Sequence, residues 1–161
     1  MPGLKERIKT DLQEAVKSKE ETAVLTLRGV LDAGLDKEKE KRYKCSQQGE
    51  EDLENVSLNE EEIISVLSSE AKKRKEAVEG YERGGREELA EKERKELEIL
   101  QKYLPEQMSE EDLDQLIEKA IEKTGASGIK DMGKVMAEIM PEIKGQADGK
   151  AVSEKVKSKL T

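Results

Sequence analysis

Residues 59–80 read NEEEIISVLSSEAKKRKEAVEG, and this segment decides the fold class. Ser57 or Asn59 provides a side chain that caps the first turn of a helix, and three glutamates follow it. Acids are favoured there because the N-terminal end of a helix carries partial positive charge. Apolar residues then recur every three or four positions as far as Gly80, with Arg74 as the one gap. The spacing predicts a long amphipathic helix.

A second helix follows the turn GYERGG at residues 80–85. Because short loops between long helices favour antiparallel neighbours, segments 59–80 and 86–104 are expected to form a helical hairpin. The basic run at residues 72–75 then faces four glutamates of the second helix and predicts ion pairs across the hairpin. The alternative, a nuclear-import or nucleic-acid patch, is less favoured because acids surround the run. The glutamates are Glu91, Glu93, Glu96 and Glu98.

Two more helices are predicted before the hairpin. Apolar residues recur with helical spacing over residues 4–16 and again from residue 24 to about residue 44. The polar residues 18–20 separate the two patterns, so the helices are expected to meet at a corner. Residues 46–50, SQQGE, have no apolar period and predict an acidic polar loop.

Pro105 marks the predicted domain boundary, because the residue before a proline is disfavoured in helical geometry. No segment has the alternating pattern of a strand, and no internal repeat is present. The predicted fold class is therefore all-α. We expect an N-terminal helical domain over residues 1–104, containing the long antiparallel hairpin, and a small three-helix domain over residues 105–161.

The C-terminal domain is predicted from three short apolar patterns. The first helix opens at Ser109, with acids in its first turn, and closes at Gly125, since glycine commonly follows a helix end. The second is interrupted or ended near Pro141, and the third begins after Gly149.

The residue types exclude the commonest catalytic groups. The chain contains no histidine, which removes Ser–His and Cys–His pairs, imidazole metal sites and the most frequent general base together. No phosphate-binding loop, nucleophile elbow or paired-cysteine spacing occurs, and the single cysteine, Cys45, is expected to be an inert thiol. We therefore expect no catalytic residue, no metal site and no cofactor, and a function that depends on binding.

The same composition bears on location. No segment approaches the ~20 apolar residues that span a bilayer, and the first residues lack the apolar run of a signal peptide. A lone cysteine fits a reducing compartment. The expected location is cytoplasmic, with no membrane partner.

Charge is divided unevenly within the C-terminal domain. Residues 105–124 carry seven acids against two lysines, whereas residues 125–161 carry seven lysines against five acids. A cationic surface of this kind can contact phosphates, although ordinary decoration of helix surfaces is the plainer interpretation. The domain has no aromatic residue to stack on bases, so any RNA would be recognised by backbone and shape.

The loop before the last helix adds a second feature. Gly145, Ala147 and Gly149 leave backbone N–H groups accessible just before a helix start, where anions are favoured. The alternative is a plain turn with a cap at Asp148.

Specific motifs carry a family resemblance. The stretches DMGKVM at residues 131–136 and MPEIKGQADGK at residues 140–150 resemble the signature of the YqeY family. The earlier stretch EAKKRKEA at residues 70–77 and the stretch YLP at residues 103–105 resemble the same family's first domain. The C-terminal domain is similar to the tail domain of GatB, the B subunit of tRNA-dependent amidotransferase.

The resemblance implies a tRNA-binding accessory protein that is not catalytic on its own, with tRNA and an aminoacyl-tRNA or amidotransferase enzyme as partners. A protein-interaction adaptor is the alternative. An amidotransferase-type carbon–nitrogen ligase with glutamine as amido-N donor is less favoured, because no Ser-Ser-Lys amidase site or nucleotide pocket is present. The RNA-facing positions that the resemblance implies are Lys130, Gly133, Lys134, Lys144, Gly145, Ala147, Asp148, Gly149 and Lys150.

Two departures from the family pattern stand out. Gln146 occupies a position where many relatives have a basic residue, which implies weaker phosphate affinity here. The acidic stretch at residues 48–55 is longer than the usual loop, and nothing in the sequence explains it.

Overall fold

The computed structural model describes all 161 residues and contains seven α-helices, one short 3-10 helix and no strand. The predicted all-α fold class is confirmed. The chain divides into two compact units, Met1–Tyr103 (unit 1) and Leu104–Thr161 (unit 2).

Unit 1 contains four helices. Helices α3 and α4 pack along each other as the predicted hairpin, and α1 packs on α2, which also contacts both helices of the hairpin. The helices are α1 (Leu4–Ser18), α2 (Glu21–Gln47), α3 (Glu60–Arg83) and α4 (Glu87–Gln101).

The start of α3 shows how local side chains set a helix boundary. Of the two candidate caps, Asn59 is the one used: its side chain accepts the backbone N–H of Glu62 at 2.8 Å. The Glu62 carboxylate accepts the backbone N–H of Asn59 at 2.8 Å, which completes a capping box. These reciprocal bonds satisfy two helix N–H groups that would otherwise lack partners.

The predicted end of α3 at Gly80 is wrong by three residues, because the helix continues through this glycine to Arg83. Glycine inside a helix costs only about 1 kcal/mol. The turn is made instead at Gly85, whose φ of +69° reverses the chain, and the N–H of Arg86 then donates to the Tyr81 carbonyl at 2.8 Å.

The corner between α1 and α2 uses the polar residues 18–20. Lys19 adopts a left-handed conformation with φ of 59°, and the next N–H, from Glu20, donates back to the Ala15 carbonyl at 3.0 Å. Helix α2 ends at Gln47, three residues beyond its predicted end.

The predicted ion pairs across the hairpin form only in part. Arg74 reaches Glu96 on α4 at 3.3 Å, and its side chain is only 14% exposed because it fills the gap in the apolar stripe. Lys73 instead pairs with Glu70 of its own helix at 2.9 Å. The reason is geometric: adjacent residues on a helix point about 100° apart, so a run of four bases cannot all face one partner.

Unit 2 is built around one apolar core, formed by Ile117 of α5, Val135 and Ile139 of α6, and Val152 and Val156 of α7, each fully buried. The helices are α5 (Glu110–Thr124), the 3-10 helix Ile129–Asp131, α6 (Met132–Ile139) and α7 (Gly149–Leu160).

The boundaries of these helices follow local signals. Ser109 caps α5 by accepting the Asp112 N–H at 3.1 Å, and Gly125 ends it with φ of 66°. Helix α6 stops before Pro141. Of the two predictions, an interruption or an end near this proline, the end is the one observed. Ile143 belongs to the following turn and still reaches the core.

Candidate functional site

The nine positions that the family resemblance predicts to face RNA lie at the two ends of α6. Lys130, Gly133 and Lys134 occupy the 3-10 helix and the first turn of α6. The other six lie in the loop after α6 and the first turn of α7. Because α6 has eight residues, its ends are about 12 Å apart.

The end of α6 lies against the start of α7. A Cβ atom built on Gly149 would lie 3.6 Å from the Cε atom of Met140, so the Met140 side chain packs on the backbone at Gly149. The structure therefore places the loop residues 144–147 and the first turn of α7 together, and places Lys130, Gly133 and Lys134 at the far end of the same helix.

The loop itself is held by its own hydrogen bonds. The N–H groups of Gln146 and Ala147 both donate to the Ile143 carbonyl, at 2.7 and 3.3 Å. The expected access of an anion to the Ala147 N–H is therefore wrong. The Asp148 side chain accepts the Lys150 N–H at 3.3 Å, which is the cap at Asp148 that the alternative prediction described.

The segment before α5 fixes the loop from the other side. The N–H of Met108 donates to the Gln146 carbonyl at 2.8 Å, and the Gln107 side-chain amide donates to the Gly145 carbonyl at 2.8 Å. Gly145 has φ of +70°, a conformation that favours glycine. The loop thus acts as a rigid support for the lysines that flank it.

Two lysines of the C-terminal helix are neutralised inside unit 2. Lys155 forms ion pairs with Glu110 and, at 3.2 Å, with Asp114. Lys159 pairs with Glu118 at 2.9 Å and lies 3.9 Å from Asp114. The hydrogen bond to Glu110 raises the pKa of Lys155 above its ordinary value. The lysines on the side of α7 that faces α5 are therefore paired with acids of α5.

Other lysines keep their charge available. Lys130, Lys150 and Lys157 take part in no ion pair, and all three are exposed. Lys134 lies 3.7 Å from Asp131 with 72% of its side chain exposed. The available cations thus lie at both ends of α6 and on one face of α7.

Lys157 is absent from the positions that the family resemblance implies. It follows Lys150 by seven residues and so lies on the same face of α7, whereas Lys155 and Lys159 share the face that meets α5. The seven-residue spacing in the sequence is the signal that identifies it.

An exposed apolar surface lies between these cations. Ile129 is 49% exposed and Met140 is 45% exposed, and a Cβ atom built on Gly133 would meet no atom within 4 Å. Together with the exposed Ala137, these residues recur at helical spacing along the outer side of α6. Such a surface, bordered by lysines, can contact sugars and phosphates at once.

Two further structural findings concern the whole chain. No helix combines the length and apolar content that a bilayer crossing requires. No three or more Cys, Asp or Glu side chains converge in the manner of a metal site.

Comparison with known proteins identifies the family. The model of the family described as Yqey-like protein matches residues 5–160. An uncharacterized protein of Schizosaccharomyces pombe is 31% identical over 68% of this chain and 78% of its own length. A protein of Vanderwaltozyma polyspora, altered inheritance of mitochondria protein 41, mitochondrial, is 28% identical over 78% of this chain. The chain spans 64% of that relative's length. The chain therefore belongs to the YqeY family.

Proposed function

We propose that this YqeY-family protein binds folded RNA of the tRNA class through unit 2, as an accessory protein. The observation that carries the proposal is the arrangement on α6, where exposed lysines border an exposed apolar surface; Lys130 and Lys150 take part in no ion pair, and Lys134 lies 3.7 Å from Asp131. Lys130 and Lys134 lie at one end of this surface and Lys150 at the other.

The motifs at residues 131–136 and 140–150 resemble the YqeY-family signature, and the similarity of the C-terminal domain that carries them to the tail domain of GatB supports tRNA as the class of RNA. Both motifs lie on this surface or directly beside it. An aminoacyl-tRNA or amidotransferase enzyme is the protein partner that the same resemblance suggests.

The physical mode of binding follows from the side chains. Without an aromatic residue, unit 2 cannot stack on splayed bases. Double-stranded RNA displays riboses and phosphates across a wide, shallow minor groove, and such a surface is recognised by shape. Lysines would contact the phosphates, and the apolar surface between them would pack on the riboses.

The proposed working compartment is the cytoplasm, in keeping with the single unpaired thiol of Cys45. The mitochondrial location belongs to the name of the Vanderwaltozyma relative.

A gel shift with purified tRNA at low salt tests the proposal. The unaltered chain should retard tRNA, and Lys134→Ala, Lys144→Ala and Lys150→Ala should each weaken the complex. Lys159→Ala is the matched control, because this lysine is already paired with Glu118 and Asp114. Absence of any retardation, or retardation that all three variants leave unchanged, would contradict the proposal.

A second assay addresses the less favoured enzymatic alternative. If the chain were a glutamine-dependent amidotransferase, the purified protein would release ammonia from glutamine. The proposed accessory role predicts no release above that of buffer.

A further inference from the structure

Unit 1 contains an open groove between the α1–α2 corner and the C-terminal end of α4. Its volume is about 720 Å³. Ala15, Ala23, Leu27 and Ile99 form its apolar floor, of which Ala23 and Ile99 are partly exposed and Ala15 and Leu27 are buried. The groove is large enough for several side chains of a ligand.

Tyr103 lines one end of the groove. The Tyr103 ring lies 5.1 Å beneath the Arg7 guanidinium, and its hydroxyl donates a hydrogen bond to the Asp11 carboxylate. Burial, with this hydrogen bond, raises the pKa of Tyr103 well above its ordinary value, so the hydroxyl remains a donor at any physiological pH. These contacts hold Tyr103 against α1 at this end of the groove.

The two long walls carry different charges. Glu14, Glu20 and Glu21 line the side of the α1–α2 corner, and no lysine or arginine lines that side. Lys95 and Lys102 line the α4 side, with Glu98 beside them. The corner wall is anionic and the α4 wall is cationic by one charge.

These charges are not balanced inside the molecule, although the Glu20 carboxylate accepts a hydrogen bond from the Ser18 hydroxyl at 3.3 Å. None of the three corner glutamates and neither α4 lysine takes part in an ion pair. Elsewhere in unit 1, Glu62, Glu70 and Glu87 each pair with a base. Charges on both walls are thus left available to a ligand that enters between them.

We infer that this groove binds one amphipathic helix of a partner protein, with basic residues along the edge that meets the corner wall and an acidic residue along the edge that meets α4. A polyamine would match the corner wall alone, and a nucleic acid would be repelled by it. A helix presents an apolar stripe to the floor and charged residues on both edges. This partner site belongs to unit 1, and its inference does not depend on the proposed RNA binding by unit 2.

The test uses two synthetic helical peptides with the same leucine stripe. In the first, lysines occupy the edge that meets the corner wall and glutamates occupy the other edge, and the second has the two charges exchanged. Binding to the full-length chain is measured by calorimetry and by backbone NMR shifts. The first peptide should bind more tightly, with shifts centred on Thr22, Ala23 and Ile99.

Charge reversal distinguishes this site from general attraction. The double variant Glu14→Lys, Glu20→Lys should bind the first peptide about tenfold more weakly. The double variant Lys95→Glu, Lys102→Glu tests the opposite wall. It should also bind the first peptide more weakly. Glu79→Lys, an exposed acid outside the groove, is the matched control and should leave binding unchanged.

Any of the following would overturn the inference: no binding of either peptide, shifts outside the groove, or equal loss with Glu79→Lys. Spermidine that binds as tightly as the first peptide would also overturn it, since charge alone would then account for binding. Because the readouts concern unit 1, they are independent of whether tRNA binds unit 2.

Discussion

Replacing Lys130 and Lys150 together by alanine should reduce the salt dependence of RNA binding. The fold should change little. Neither lysine takes part in an ion pair, so no internal acid competes with a phosphate for its charge. Each phosphate contact contributes roughly 0.7–0.9 to the slope of log affinity against log salt. Loss of two contacts should therefore lower the slope by about 1.6. When the salt concentration rises fourfold, the double variant should therefore lose about tenfold less affinity for RNA than the unaltered chain loses.

Fluorescence anisotropy with labelled tRNA, measured at several salt concentrations, gives these slopes. The control is Lys155→Ala with Lys159→Ala, which removes the same charge from positions paired with acids of α5. Its slope should match that of the unaltered chain. If the control lowered the slope as much as the Lys130 and Lys150 variant, the assignment of available and neutralised lysines would be refuted.

Three predictions concern stability, and denaturant unfolding checks each. Asn59→Ala removes the capping box of α3 and should cost about 1 kcal/mol, whereas Asn59→Asp should retain most of it. Ile117→Ala leaves a cavity in the fully buried core of unit 2 and should cost about 3 kcal/mol. The hydrogen bond from Lys5 holds the pKa of the buried Glu38 below its ordinary value of 4.5. Its stabilising effect is thus present above pH 4.5 and is lost as pH falls through the lowered pKa. Glu38→Gln should therefore cost on the order of 2 kcal/mol at pH 7 and progressively less in acid.

For each of these three variants, one result would contradict the prediction. Equal stability of Asn59→Ala and the unaltered chain would show that the cap is dispensable. A cost below about 1 kcal/mol for Ile117→Ala would mean that the core of unit 2 can collapse around the cavity. A Glu38→Gln penalty that is constant from pH 7 to pH 3 would show that the charge of this side chain does not stabilise the fold.

Features that depend on neighbouring residues could be predicted from the sequence. The caps at Asn59, Ser109 and Asp148 and the helix end at Gly125 each involve side chains or backbone within a few positions. The hairpin follows from two long apolar patterns joined by a short loop. These signals were sufficient for the fold class and for most helix boundaries.

Features that depend on the register between helices could not be predicted in this way. The sequence showed seven lysines after residue 124, but only the packing of α7 on α5 shows that Lys155 and Lys159 are satisfied by acids. The accessibility of the Ala147 N–H depended likewise on the turn that the loop adopts. The groove of unit 1 unites residues more than 80 positions apart, and no local pattern indicates it.

The most direct test of RNA binding by unit 2 is a titration of the isotope-labelled full-length chain with tRNA, followed by backbone NMR. We predict that the largest shifts occur at residues 129–134 and 140–150, around the exposed side of α6, and at residue 157 of α7. Residues on the α5-facing side of α7, such as Lys159, should change little. Shifts confined to unit 1, or no shifts at tRNA concentrations well above those of the protein, would contradict the account.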